Sequence, residues 1–120
     1  MCLFEAVLSK SRKKIMNISL NYLYRDAGNF KNWGEVVFAN KNNIELKLLE
    51  QKVRKILIDG EFFIAEVAGL KKLNFSEYIK ELDHDWHEFH SFEDTKENIN
   101  DQNNRDIVDF IVNLQDATEL

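Results

Sequence analysis

Ile18, Leu20, Tyr22 and Tyr24 stand at every second position of one short stretch. Asn17, Ser19, Asn21 and Arg25 fill the alternate positions, interrupted only by Leu23. A period of two is the pattern of a strand with one buried and one wetter face. An isolated strand has nothing to bond to, so this stretch commits the chain to a sheet and obliges it to supply partner strands.

The residues that follow supply them. Arg25-Asp26-Ala27-Gly28-Asn29 is turn chemistry, since Asp and Asn bond nearby backbone and Gly tolerates positive φ. A second strand is expected over Trp33–Ala39, close enough for an antiparallel hairpin. Asn40-Lys41-Asn42-Asn43 breaks the pattern, with Asn42 or Asn43 as a helix cap and Glu45 three residues after Asn42. Leu46, Leu49, Val53, Ile56 and Leu57 then share one helical face over roughly 44–59, with Glu45, Lys47, Lys52 and Lys55 on the other. Gly60 suits the left-handed residue that closes such a helix. Glu61–Val67 has apolar side chains on both faces and is expected to be a central, well-covered strand.

From Asn74 two readings compete. Phe75, Tyr78, Ile79, Leu82, Trp86 and Phe89 fit one helical stripe. The alternative, preferred here, is a helix to about Leu82, a turn at Asp83–Asp85 and a strand over Trp86–Phe92. Asp83, His84 and Asp85 make a poor helix interior because short polar side chains compete for backbone bonds. Asp94–Asn104 is expected to be a loop, and Arg105–Leu114 a final helix capped by Asn103 or Asn104. Trp33 and Trp86 are assigned to the core.

The expected fold is α+β: an antiparallel sheet of three or four strands with two or three helices packed on one face. Residues 16–120 form one domain. Residues 1–15 are an N-terminal extension, either upstream of an alternative start at Met16 or a short amphipathic helix over Leu3–Leu8. A chain of 120 residues with 44% hydrophobic and 31% charged residues has the size and composition of a single globular domain with its own core.

Cys2 is the single cysteine, which excludes an internal disulfide. No apolar run approaches the ~20 residues of a membrane span. The basic cluster Lys10–Lys14 follows the apolar stretch, the reverse of a signal peptide, so a cytoplasmic location is expected. Charge is lopsided. Residues 1–60 hold 11 Lys/Arg and 6 Asp/Glu, whereas residues 61–120 hold 5 and 15. Nucleic acid is an unsuitable partner, because phosphates require clustered Lys/Arg and Lys10–Lys14 is the one dense cluster. The acidic second half suits a protein partner, or the basic half of a second copy in a homodimer.

One segment concentrates side chains capable of chemistry. Leu82-Asp83-His84-Asp85-Trp86-His87-Glu88-Phe89-His90 holds all three histidines and three carboxylates. Histidine and carboxylate bind divalent transition metals, so His84, His87 and His90, with Glu88 and Asp26, are metal-ligand candidates for a metal-dependent enzyme. Histidine beside carboxylate also suits acid–base work. The wider candidate polar cluster is Arg25, Asp26, Glu66, His84, Asp85, His87 and Glu88. No H-E-x-x-H, G-x-S-x-G or Walker loop accompanies it. The structural alternative, preferred here, is a hydrogen-bonded cluster in which carboxylates and backbone fix the histidine tautomers, with no cofactor.

The segments Leu23–Asn29, Asp59–Glu66 and Leu82–Phe89 resemble those of a family of small uncharacterised bacterial proteins, over roughly residues 16–92. The resemblance implies no activity. It does imply that the three segments meet around one site. The expected function is a non-catalytic protein-interaction module that engages a partner through its acidic half.

Overall fold

A computed structural model describes residues 16–75 and 84–118. The expected N-terminal extension, most of the expected helix after Asn74 and Asp83 of the expected turn lie outside the described residues. The elements run β1 (Asn17–Arg25), β2 (Lys31–Phe38), α1 (Leu46–Ile56), β3 (Phe62–Ile64), β4 (Trp86–Thr95) and α2 (Ile107–Asp116). The four strands form one antiparallel sheet in the order β2-β1-β4-β3, so the fold is α+β as expected.

β1, between β2 and β4, and β4, between β1 and β3, are the two interior strands. Ile18, Leu20, Tyr22 and Tyr24 point into a single contiguous core with Phe38, Phe63, Phe89 and Phe92. Both helices cover this face. Leu49 and Val53 of α1 enter the core, and Arg54 lies 4.8 Å over the Phe89 ring. On α2, Phe110 stacks on Phe38 with centroids 4.6 Å apart. The opposite face of the sheet carries Trp33, Glu35, Leu23, Arg25 and Glu88.

Several local expectations are corrected. Glu61–Val67 is not a central strand. Only Phe62–Ile64 pairs, at the sheet edge, and the chain then turns so that Ala65, Ala68 and Leu70 pack into the core. The Ile64 N–H donates to the Ala117 carbonyl, and Gly69 closes the turn at φ +76°. The turn thus buries Ala65 of the strand-like stretch and leaves Val67 exposed. Trp33 is 52% exposed rather than in the core. Glu45 occupies the α1 cap position and makes no side-chain cap bond. Asn40 instead accepts from the Ile44 N–H and donates to its carbonyl. Leu57, not Gly60, follows the last turn of α1. Asp106 caps α2 by accepting from the Val108 N–H, a task the sequence assigned to Asn103 or Asn104.

β4 is longer than expected because Glu93, Asp94 and Thr95 continue the ladder opposite Ser19, Ile18 and Asn17. The register shifts between Asn21 (opposite Ser91) and Tyr22 (opposite Phe89), leaving His90 as the extra residue of a bulge. The bulge puts both Phe89 and Phe92 on the core face. Beyond Thr95 the chain covers part of the free edge of β2. Asn100 bonds both the N–H and the carbonyl of Val37, and Ile107 N–H donates to Ala39 O.

Candidate functional site

The three histidines go to three different environments. His87 is fully buried on the core face of β4, between Tyr22, Tyr24 and Phe63. Its Nε2 accepts from the Leu73 N–H at 2.9 Å, and its Nδ1 donates to the Asp85 carbonyl at 3.1 Å. Those two bonds require the neutral ring with the proton on Nδ1. Burial, opposed by the Asp85 carbonyl and the Asp85 charge, holds the imidazole below its ordinary pKa. His84 is exposed; its Nδ1 accepts from the Trp86 N–H, and its ring lies 5.3 Å from that of Tyr24. His90, on the bulge, meets Trp33 edge-on at 5.0 Å on the other side of the sheet.

The sequence expectation that His84, His87 and His90 gather as metal ligands is therefore not met by the geometry. Among the described residues no three His, Cys, Asp or Glu side chains are grouped to hold a metal ion. A strand places alternate residues on opposite faces, so His87 enters the core while His90 lies with Trp33 and Glu88 on the outer face. What His87 does hold is main chain. Tyr22 Oη donates to Lys71 O at 2.8 Å, Tyr24 Oη to His84 O at 2.7 Å, and Asn32 Nδ2 to Leu73 O at 2.9 Å. Together with the His87 bonds, these fasten residues 71–73 and 84–85 to the sheet. Burial, only partly offset by the Lys71 bond, pushes the Tyr22 phenol up to about 12, so it stays a donor.

The candidate polar cluster divides in the same way. Arg25 does meet Glu88: Nε to Oε2 is 2.9 Å and Nη2 to Oε1 is 3.2 Å, a two-pronged pair on the outer sheet face. The Glu88 bonds raise the already high pKa of Arg25. Arg25 Nη1 also donates to Asn29 Oδ1, and Asp26 Oδ1 accepts from the Phe30 N–H. The Arg-Asp turn is thus tied to β4 through Arg25, while Asp26 closes its own turn, in which Asn29 takes φ 69°. Asp85 is exposed and accepts from Asn74 Nδ2 at 3.3 Å. Glu66 is exposed in the turn after β3. The two long-range contacts place Arg25 with Glu88 on one face and His87 on the other.

A concave surface lies elsewhere, on residues that form no motif. A groove of about 570 Å³ runs between α1 and α2. Its apolar lining includes Ile44, Leu48, Ile56, Val108 and Val112; Lys52 and Lys55 are its charged residues. Leu48 is 55% exposed, Val112 58% and Val108 38%. Each is an apolar residue outside the stripe that fills the core. That surplus over a single helical face is the signal available in the sequence.

The acidic half also proves partly internal. Asp101 and Arg105 form a buried pair, with Nε to Oδ2 at 2.8 Å and Nη2 to Oδ1 at 2.9 Å. Arg105 further donates to Ala68 O, Gly69 O and Asn113 Oδ1, and lies over the Phe38 and Phe110 rings. Burial alone would raise the Asp101 pKa, but the bonds and charge of Arg105 outweigh it and leave the carboxyl below its usual range. No helix among the described residues is long and apolar enough to cross a membrane. Comparison with family models, with curated proteins and with solved structures finds no match to this chain.

Proposed function

We propose that the chain is a non-catalytic protein-interaction module whose docking surface is the groove between α1 and α2, and that it receives an amphipathic helix bearing carboxylates. The observation that carries this reading is the exposure of Leu48, Val108 and Val112 together along one groove. Grouped exposed apolar side chains in a concavity mark interaction sites, and grooves between helices accept a third helix through anchors at i, i+3/i+4 and i+7. Lys52 and Lys55 line the same groove without a carboxylate beside them in the lining, which sets the charge of the occupant. The reading moves the docking role from the acidic half to this groove, since Glu88, Asp101 and Asp106 are already engaged within the fold.

A fluorescein-labelled helical peptide with leucines on one face and glutamates flanking them tests the proposal by anisotropy. Binding on the order of micromolar is expected, weakened about tenfold or more when lysines replace the glutamates. Leu48→Glu and Val112→Glu should each abolish it while leaving the far-ultraviolet circular dichroism unchanged. Equal binding of the two peptides, or binding indifferent to both substitutions, would refute the proposal.

A further inference from the structure

A different surface points to self-association. The C-terminal half of β2 is covered at its free edge by Asn100 and Asp101, which bond the N–H and carbonyl of Val37. Backbone direction alternates along a strand. Glu35, Trp33 and Lys31 therefore also aim their N–H and C=O groups outward, and no described group bonds them there. The opposite side of the sheet has no such gap at Ile64, whose N–H is taken by Ala117 O. Proteins ordinarily blunt an open edge, since it is a template for another strand. Here the edge carries two of the most exposed large apolar side chains, Phe30 at 70% and Trp33 at 52%.

We infer that this edge pairs with the same edge of a second copy, antiparallel about a two-fold axis at Trp33. The sequence of the edge is complementary to itself in that register. Lys31 faces Glu35 of the second copy, Trp33 faces Trp33, and Glu35 faces Lys31. These are all outward-pointing residues, so each facing pair can exchange main-chain hydrogen bonds. On the other sheet face Phe30 comes opposite Val36 of the second copy, a half-buried residue that already packs on the core. Within one chain Lys31 and Glu35 are four strand positions apart, about 13 Å, too far to pair with each other. Glu35 accepts from Ser19 Oγ through Oε2, leaving Oε1 for the incoming lysine. The cover at Val37 ends the ladder, so the open stretch has the length this register uses. The result is a continuous eight-stranded sheet with an isologous interface. This surface is separate from the groove between the helices, and neither proposal depends on the other.

Charge reversal tests the register. Lys31→Glu sets like charges opposite each other twice in a symmetric pair, and Glu35→Lys does the same with the opposite sign. Sedimentation equilibrium should find a monomer–dimer equilibrium for the natural chain. The dissociation constant should rise about tenfold or more in either single variant, because both cross-strand pairs turn repulsive. The double variant K31E/E35K should return to within a few-fold of the natural value. An equimolar mixture of the two single variants should form heterodimers, since every facing position then carries opposite charges. Unchanged thermal unfolding of the monomers separates loss of pairing from loss of fold. A natural chain that stays monomeric at its highest soluble concentration would overturn the inference. So would a dimer indifferent to these reversals, including one formed through the groove.

Discussion

Replacing Arg105 with methionine removes a cation held inside the fold by five side-chain hydrogen bonds. The flexible apolar chain still fills much of the space beside Phe38 and Phe110. Asp101, whose side chain is 1% exposed, loses its counter-charge but keeps the main-chain N–H of residue 105 as a donor. The carboxylate can relieve its isolation by taking a proton. At pH 7 that costs at most roughly 4 kcal/mol, from an ordinary pKa near 3.9, and less once burial raises the pKa. Ala68 O also loses its bond to the guanidinium, whereas Gly69 O keeps Gln102. The total falls at about 3–5 kcal/mol, the usual consequence of breaking a buried pair. Urea unfolding followed by circular dichroism measures it. At pH 5 the ceiling on the protonation cost drops to about 1.5 kcal/mol, so the difference from the natural chain should shrink. Adding Asp101→Leu should recover part of the loss, because an apolar pair leaves no buried charge. A loss below about 1 kcal/mol, or one identical at both pH values, would refute this account of the pair.

The buried His87 predicts a pH dependence of its own. Its folded pKa lies below the unfolded value near 6.5, so the unfolded chain binds the proton first. Stability contributed by the neutral ring is complete above about pH 6.5 and falls below it by up to ~1.4 kcal/mol per unit until the folded pKa is reached. His87→Gln can still accept from Leu73, and it should flatten urea midpoints between pH 6.5 and 5 while leaving the Asp101-linked loss below pH 4. Gly34→Ala should cost about 1–3 kcal/mol, read by thermal unfolding. The new Cβ would stand 2.9 Å from Tyr22 Cε1 and 3.0 Å from Leu73 Cδ1, and the Tyr22 ring is fixed by its bond to Lys71 O.

The parts of the fold that the sequence made legible are those where burial on one side writes a period into the chain. Ile18, Leu20, Tyr22 and Tyr24 gave β1, and Leu46, Leu49 and Val53 gave α1. The parts that were not legible are those where a turn or cap is selected by distant partners. Asn100 covers β2 from 63 residues away, and Asp106 caps α2 while also accepting from the Lys41 N–H. Glu61–Val67 looks like a covered strand because apolar side chains fall on both faces, but after Ile64 the chain turns and buries Ala65, Ala68 and Leu70 that way. The placement of the three histidines was not legible for a related reason. Histidine spacing suggests ligands only if one geometry gathers the rings, and strand alternation sends His87 into the core while His90 meets Trp33 on the outer face.

Counting charges by halves of the chain does not describe a surface, because chain order is not surface. Glu88 of the acidic half is neutralised by Arg25 of the basic half, and Asp101 by Arg105 within the core. Glu93, Asp94 and Glu97 remain exposed, but their excess sits at one end of β4 and in the loop beyond it. The charges on which the proposed self-pairing rests are ones the count cannot register. Lys31 and Glu35 cancel in any sum, yet they occupy the open edge of a strand where opposite signs four residues apart become complementary only to a reversed copy of themselves. A charge pattern therefore carries information about partners only after the strand phase is known, and in this chain that phase comes from the bonds Asn100 makes to Val37.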